Sequence, residues 1–258
     1  LTVDTAKHGH DAMSERARSA PPPSPPRKRT AQSRTAPNAS QVPSVTTHES
    51  VYRGLRERIL FGGVPPGSAI TLRGLAESMG VSPMPIREAV RRLIAERALK
   101  MQDNRRVLVP PMTEERFQEI VFARLALEPE LASRAMDRIG KTELAHIASH
   151  DRAVDRAMAD GDVPGYMQSN FRFHFAIYAE AGAETLLALV ESIWLQFGPF
   201  MRMAYGRIGT STLEDHHQAA IAAIERRDRA ALEAAIAADI SQGMGFIGEA
   251  VLKQPGPA

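Results

Sequence analysis

The chain has 258 residues, 43% of them hydrophobic and 24% charged, a length that holds one or two ordinary globular domains with a sizeable core. No run of 18 apolar residues is uninterrupted and the first thirty residues are too polar for a secretory signal, so neither a membrane span nor export is expected and the cytoplasm is the expected compartment. The lack of cysteine removes disulfides, thiolate zinc fingers, iron–sulfur clusters and cysteine nucleophiles, leaving His, Asp, Glu and Asn as metal ligands.

The net charge of +2 conceals a division along the chain. Residues 1–49 carry 7 basic and 4 acidic groups, residues 50–111 carry 11 and 5, and residues 112–258 carry 14 and 21. A basic module is thus joined to a longer acidic one, and the middle segment is the part whose field attracts a polyanion such as nucleic acid.

Residues 1–47 contain Pro21-Pro22-Pro23-Ser24-Pro25-Pro26 followed by Arg27-Lys28-Arg29, without apolar periodicity. Such a segment cannot bury enough surface to offset its ordering entropy, so it is expected to be a disordered arm. Two roles stay open for it, added nonspecific DNA affinity or a dispensable extension, and Met13 is the expected translation start.

Between 48 and 111 the pattern is helical and then extended. Val51, Leu55, Ile59 and Leu60 share a helix face that ends at Gly62-Gly63 and Pro65-Pro66-Gly67. Thr71 is placed to cap a second helix carrying Leu75, Ala76 and Met79 and stopping at Gly80. Ser82 is placed to cap a third, with Pro83 and Pro85 in its first turn, where backbone N–H groups have no intrahelical partner to lose. After a four-residue turn between those helices comes a hairpin of residues 99–101 and 107–109, with Asp103-Asn104-Arg105-Arg106 at its tip. Three helices and such a wing make a winged helix-turn-helix. Residues 112–252 read as Ala-rich helices broken near Gly140, Gly161, Gly182, Gly209 and Asp228, an all-α antiparallel bundle of six or seven helices. Residues 253–258 are a tail. The fold class is therefore mostly α.

Gly62 through Pro66-Gly67, Leu75-Ala76, Gly80-Val81-Ser82, the run from Pro85 to Val90, and Arg92-Leu93 together resemble the DNA-binding domain of GntR-type bacterial transcription regulators. The run from Arg124 to Glu128, the run from Asn170 to His174, His217, and the turn from Ala222 to Asp228 resemble the all-helical FCD effector domain of the FadR branch. The resemblance implies a homodimer that binds a double-stranded DNA operator and responds to a small effector, commonly a carboxylate.

It also implies DNA contacts from Arg73, from Ser82, Pro83 and Met84, from Arg87, and from Arg105 and Arg106 at the wing tip. Two departures stand out. Relatives usually carry Arg then Thr where this chain has Pro83 and Met84, which donate no side-chain hydrogen bond, and relatives usually carry Gly near Arg106.

Asn170 and His174 are four apart and share a helix face. His217 lies eleven residues before Asp228 and Asp239 eleven after it, so a helical hairpin turning at Asp228 brings both to one level, about 16 Å from the turn at 1.5 Å per residue. The family pattern at these four positions is one acid followed by three His, binding zinc or a related ion. This chain has Asn170, His174, His217 and Asp239, which keeps one carboxylate and loses one imidazole, so a divalent metal (zinc, nickel or manganese) is expected with reduced affinity. His216 competes with His217 for the inward position, and a polar pocket that has lost its metal is the alternative. For the effector, Arg124 is the expected cation, its alternative being a helical ion pair with Glu128, and Arg202 and Tyr205 are secondary candidates. A rival class, a metal-dependent hydrolase built on the bundle, lacks a general base at motif spacing and leaves the DNA-binding module unexplained, so no enzyme activity is expected.

Overall fold

The face formed by Val51, Leu55, Ile59 and Leu60 belongs to helix α1, Thr47–Leu60, and all four side chains are buried. The computed structural model describes residues 47–104, 106–208 and 216–252; the proposed arm, the tail, Arg105 and the expected break at Gly209 lie outside them. After α1 the chain turns at Gly62, whose φ of 69° and whose contact with the stem of Arg202 leave no room for a Cβ.

Helix α2, Leu72–Met79, begins where the Thr71 hydroxyl accepts a hydrogen bond from the Gly74 N–H at 2.9 Å and ends at Gly80 in the left-handed conformation. Three residues, not four, separate it from α3, Pro83–Ala95. Ser82 occupies the N-cap position of α3, but its side chain makes no capping bond. A capping oxygen accepts from the second or third helical N–H; Pro85, at the third position, has none, and the one donor left, the Met84 N–H, is not taken up by the Ser82 side chain.

The wing is a three-stranded antiparallel sheet of β1, Ile70–Thr71, β2, Lys100–Met101, and β3, Arg106–Leu108, in the order β1-β3-β2. Ile70 pairs with Val107 and Lys100 with Leu108. β1 is absent from the sequence reading because two residues are too few to show alternation. It ties the start of α2 to the wing.

Six α-helices follow: α4, Glu114–Ala135; α5, Lys141–Ala159; α6, Val163–Tyr178; α7, Glu184–Ile208; α8, His216–Glu225; and α9, Arg229–Leu252. Gly140, Gly161, Gly182 and Asp228 fall in the connections, as their residue types require. α9 carries apolar residues on almost every face and packs on α4, α7 and α8, while α5 pairs with α6. The centre is filled by Trp194, Phe173, Phe197, Phe200 and Leu131, each about fully buried, at roughly 1.5–3 kcal/mol of transfer free energy per large side chain.

α7 also joins the two parts of the chain. Arg56 of α1 bonds Glu191 at 3.0 Å, the Ser192 hydroxyl donates to the Glu96 carbonyl at 3.2 Å, and Arg116 of α4 donates both to Gln196 of α7 at 3.4 Å and to the Arg97 carbonyl at 3.3 Å. A Cβ at Gly198 would collide with the Leu60 carbonyl. The winged module is therefore seated on the same helix that lines the interior cavity described next.

Candidate functional site

Two sites emerge, one outside and one inside. On the outside, Ser82, Pro83, Met84 and Arg87 are exposed on the first turns of α3, with Met84 63% exposed. Arg87 has no acidic partner among the described residues. Arg73 is exposed on α2 and paired with Glu77 at 2.8 Å, so its contact with a phosphate would require leaving that carboxylate. Arg106 is exposed at the wing, and its backbone N–H donates to Asn104 Oδ1 at 3.1 Å. Arg91 and Arg92 are engaged locally, by Glu88 and by Glu49 with the Tyr52 ring. Among the described residues, the Ser82, Met84 and Arg87 side chains at the N-terminal end of α3 thus make no hydrogen bond or ion pair, at the end where a recognition helix meets base edges and phosphates.

Inside the bundle, His174 of α6, His217 of α8 and Asp239 of α9 converge, with one ligand atom from each lying within 4.8 Å of the others. His174 Nε2 is 3.1 Å from Asp239 Oδ2, and His217 Nε2 is 3.6 Å from Asp239 Oδ1. Ligands held about 2.0–2.2 Å from one ion stand roughly 3–3.5 Å apart; the two distances to Asp239 are near this range, while the whole set, spread over up to 4.8 Å, has to draw in slightly around an ion. The hairpin argument places His217 and Asp239 together, and His217 is buried while His216 is only half-buried.

The outer partners of both imidazoles decide their tautomers. Tyr178 donates its only proton to Glu128 Oε2 at 2.8 Å, so its oxygen can only accept from His174 Nδ1, 3.1 Å away. That leaves His174 Nε2 with a lone pair. Burial pushes the His174 pKa down against the pull of Asp239, and the ring's fully buried Nε2, 3.1 Å from Asp239 Oδ2, has no hydrogen-bond partner of good geometry among the described residues. Likewise His217 Nδ1 faces Asp151 Oδ1 at 3.1 Å, and Gln218 holds the other Asp151 oxygen. Burial opposes the charge on Asp239, yet His174, His217 and Arg124 hold its carboxyl well below the usual carboxylate range. With the imidazoles in the neutral form that binds metal, two lone pairs and a carboxylate face one point and repel one another unless a cation lies between them. The donor set therefore fits a divalent ion, with Tyr178 and Asp151 as the orienting partners that metal-binding histidines ordinarily have.

A cavity of about 30 Å³ adjoins this cluster, lined by Arg124, Asn170, Tyr205 and Asp239 among others. That is room for roughly two waters. Arg124 is both things the sequence left open: it lines the cavity, and its Nε and Nη2 bond Glu128 at 2.6 and 3.2 Å. Its guanidinium also lies over the Phe197 and Trp194 rings, 4.2 and 4.8 Å from their centroids. Tyr205 reaches the cavity, with its pKa raised to about 12 by burial, an effect eased by its hydrogen bond with Tyr166. Arg202 does not reach it: one helical step of about 100° from Met201, it is exposed and lies against Gly62.

Sequence reasoning missed Tyr166, Trp194, Asp151 and Tyr178. Tyr178 had a usable signal, since Asn170, His174 and Tyr178 continue one i, i+4 row. Asp151 had none, its partner being 66 residues away. Trp194 is notable because its buried indole N–H has no acceptor.

The model of the bacterial regulatory proteins of the gntR family matches residues 47–109, and the FCD domain model matches residues 119–242. The HTH-type transcriptional regulator McbR of Escherichia coli (strain K12) is 24% identical over 214 residues, spanning 82% of this chain and 97% of that protein. The HTH-type transcriptional repressor GlaR of the same organism is 27% identical over 191 residues, 69% of this chain and 86% of that one. The solved structure of E. coli McbR/YncC superposes with a TM-score of 0.75, covering 80% of this chain and 98% of that one at 24% identity. A putative GntR regulator from Rhodococcus sp. RHA1 does so at 0.65, covering 79% and 98% at 20% identity. These structural likenesses bear on the fold alone. With a winged helix-turn-helix and a helical bundle matched in that order, and with transcription regulators rather than enzymes as its relatives, the chain belongs to the GntR family of DNA-binding transcription regulators that carry an FCD domain.

Proposed function

We propose that this regulator is a cytoplasmic homodimer of the FadR branch that binds an operator through Arg73, the Ser82–Met84 turn, Arg87 and the wing residues Arg105 and Arg106. Its helical domain senses a small carboxylate beside a divalent ion of the zinc, nickel or manganese kind held by His174, His217 and Asp239, with Asn170 as a weaker oxygen ligand. The observation that carries this reading is the convergence of His217 and Asp239 on His174 Nε2, a fully buried nitrogen without a hydrogen-bond partner of good geometry among the described residues and 3.1 Å from Asp239 Oδ2. Such an ion would supply an electrostatic anchor for the effector's carboxylate. The chain's own groups do the rest: Arg124 presents a cation, Trp194 an unsatisfied N–H, and Tyr205 a protonated hydroxyl at the same cavity. The small volume selects effectors of few atoms, or requires the flexible side chains of Met201 and Gln242 to yield.

The test is an anisotropy titration of the full chain on DNA from upstream of its own gene and on random DNA, with and without zinc, nickel or manganese and a panel of small mono- and dicarboxylates. A carboxylate that changes operator affinity only in the metal-loaded protein, and not in His174→Ala, is the expected result. Equal affinity for both DNAs at physiological salt would remove the claim of specific recognition. A carboxylate response without metal would leave a purely polar pocket.

A further inference from the structure

The exposed side of α5 carries a second pair of imidazoles, outside the buried cluster. His146 and His150 are four residues apart, so their side chains leave the same helix face. Their Nε2 atoms are 3.1 Å from each other, and the rings meet edge to face with centroids 4.4 Å apart. His146 is exposed and His150 half-buried.

We propose that His146 and His150 form a second transition-metal site, a two-imidazole chelate for an ion of the copper(II), nickel(II) or zinc(II) class that takes its remaining ligands from solution. Two nitrogens each about 2.0–2.1 Å from one ion and adjacent in its coordination sphere are roughly 3.0–3.4 Å apart, so the present separation suits one ion once the exposed rings turn about their side-chain bonds to aim both lone pairs at it, and the helix backbone stays where it is. The hydrogen bond given up is one solvent-accessible N–H···N contact, worth about 1 kcal/mol or less. Metal binding also needs both rings neutral. Burial, then the neighbouring His146 and Arg172, push the His150 pKa down, which keeps protons from competing near neutral pH. The same Arg172 repels an incoming cation, so the site is weaker than one with a carboxylate. With imidazole donors alone, affinity follows the order copper over nickel and zinc.

This site does not depend on the buried one, and calorimetry separates them. Nickel titrated into the full chain should bind in two classes in the wild type. His146→Ala and His150→Ala should each weaken the same class by about a hundredfold or more, because losing either nitrogen ends the chelate, and neither should alter the class that His174→Ala removes. Arg172→Gln should tighten the outer class by about threefold or more, since it takes away a nearby positive charge. Circular dichroism checks that the helix survives each change. Wild-type binding in both His146→Ala and His150→Ala overturns the proposal, as does loss in only one of them, which would mean a single imidazole with a ligand from elsewhere. If His174→Ala changes nothing while His146→Ala does, the buried metal fails and the outer site stands.

Discussion

Tyr178 determines which nitrogen of His174 is free, because its one proton is committed to Glu128. Tyr178→Phe should leave the helix in place and lower metal affinity by about 10–100-fold, the usual effect of losing an orienting partner; calorimetry that finds wild-type affinity would show that the tautomer is set some other way. At the DNA face, Arg87 stands on the exposed side of α3 without an acidic partner among the described residues, and Arg87→Ala should weaken the best operator by about 1–3 kcal/mol while leaving affinity for random DNA nearly unchanged, if it reads a base edge. A uniform loss on both DNAs in anisotropy titrations would make it a phosphate contact. The proximity of the candidate ligands was legible in the sequence because Asn170 and His174 lie on one helix and His217 and Asp239 on one hairpin, where spacing converts to position. Asp151 and Trp194 were not, because their roles depend on how α5 and α7 pack against other helices. Arg202 was misjudged for a related reason: being polar in an apolar helix marks a residue as unusual, but only the rotation of α7 says which side it faces.

Among the elements, α7 has two faces with two duties. Trp194, Phe197, Met201 and Tyr205 line the cavity, while Glu191 and Ser192 hold Arg56 and the Glu96 carbonyl of the winged module. Gly198-Pro199 sits between the two halves of the cavity lining, where proline removes a helical hydrogen bond and makes the helix pliable. Gly198 is also where the α1 carbonyl of Leu60 comes too close for any Cβ. Gly198→Ala should therefore force α1 and α7 apart, changing operator affinity and lowering the melting temperature by several degrees for a cost of about 1–3 kcal/mol, while metal binding at His174 persists. Unchanged melting and DNA binding would show that α7 is not the link. The helices themselves were readable from apolar spacing and from glycine and aspartate breaks. β1 was too short to read, and the missing Ser82 cap was not foreseen, although Pro85 removes one of the two donors that side chain could use.

At the scale of the whole molecule, a basic DNA-binding module is joined to an acidic helical FCD domain, a division that the regional charge count of the sequence already shows. The basic module neutralises several phosphates, so operator affinity should fall steeply as salt rises, with a slope set by the number of contacts; a flat salt dependence would argue against the face assigned here. The account stands or falls on the buried cation. It is tested most directly by calorimetric titration of zinc, nickel and manganese into metal-stripped full chain carrying His146→Ala and His150→Ala, which silences the outer pair. One ion bound per chain, abolished by adding His174→Ala or Asp239→Ala and weakened by Asn170→Ala, is the predicted result. No binding of any of the three ions, or binding that survives Asp239→Ala and vanishes with Asn170→Ala, would contradict it.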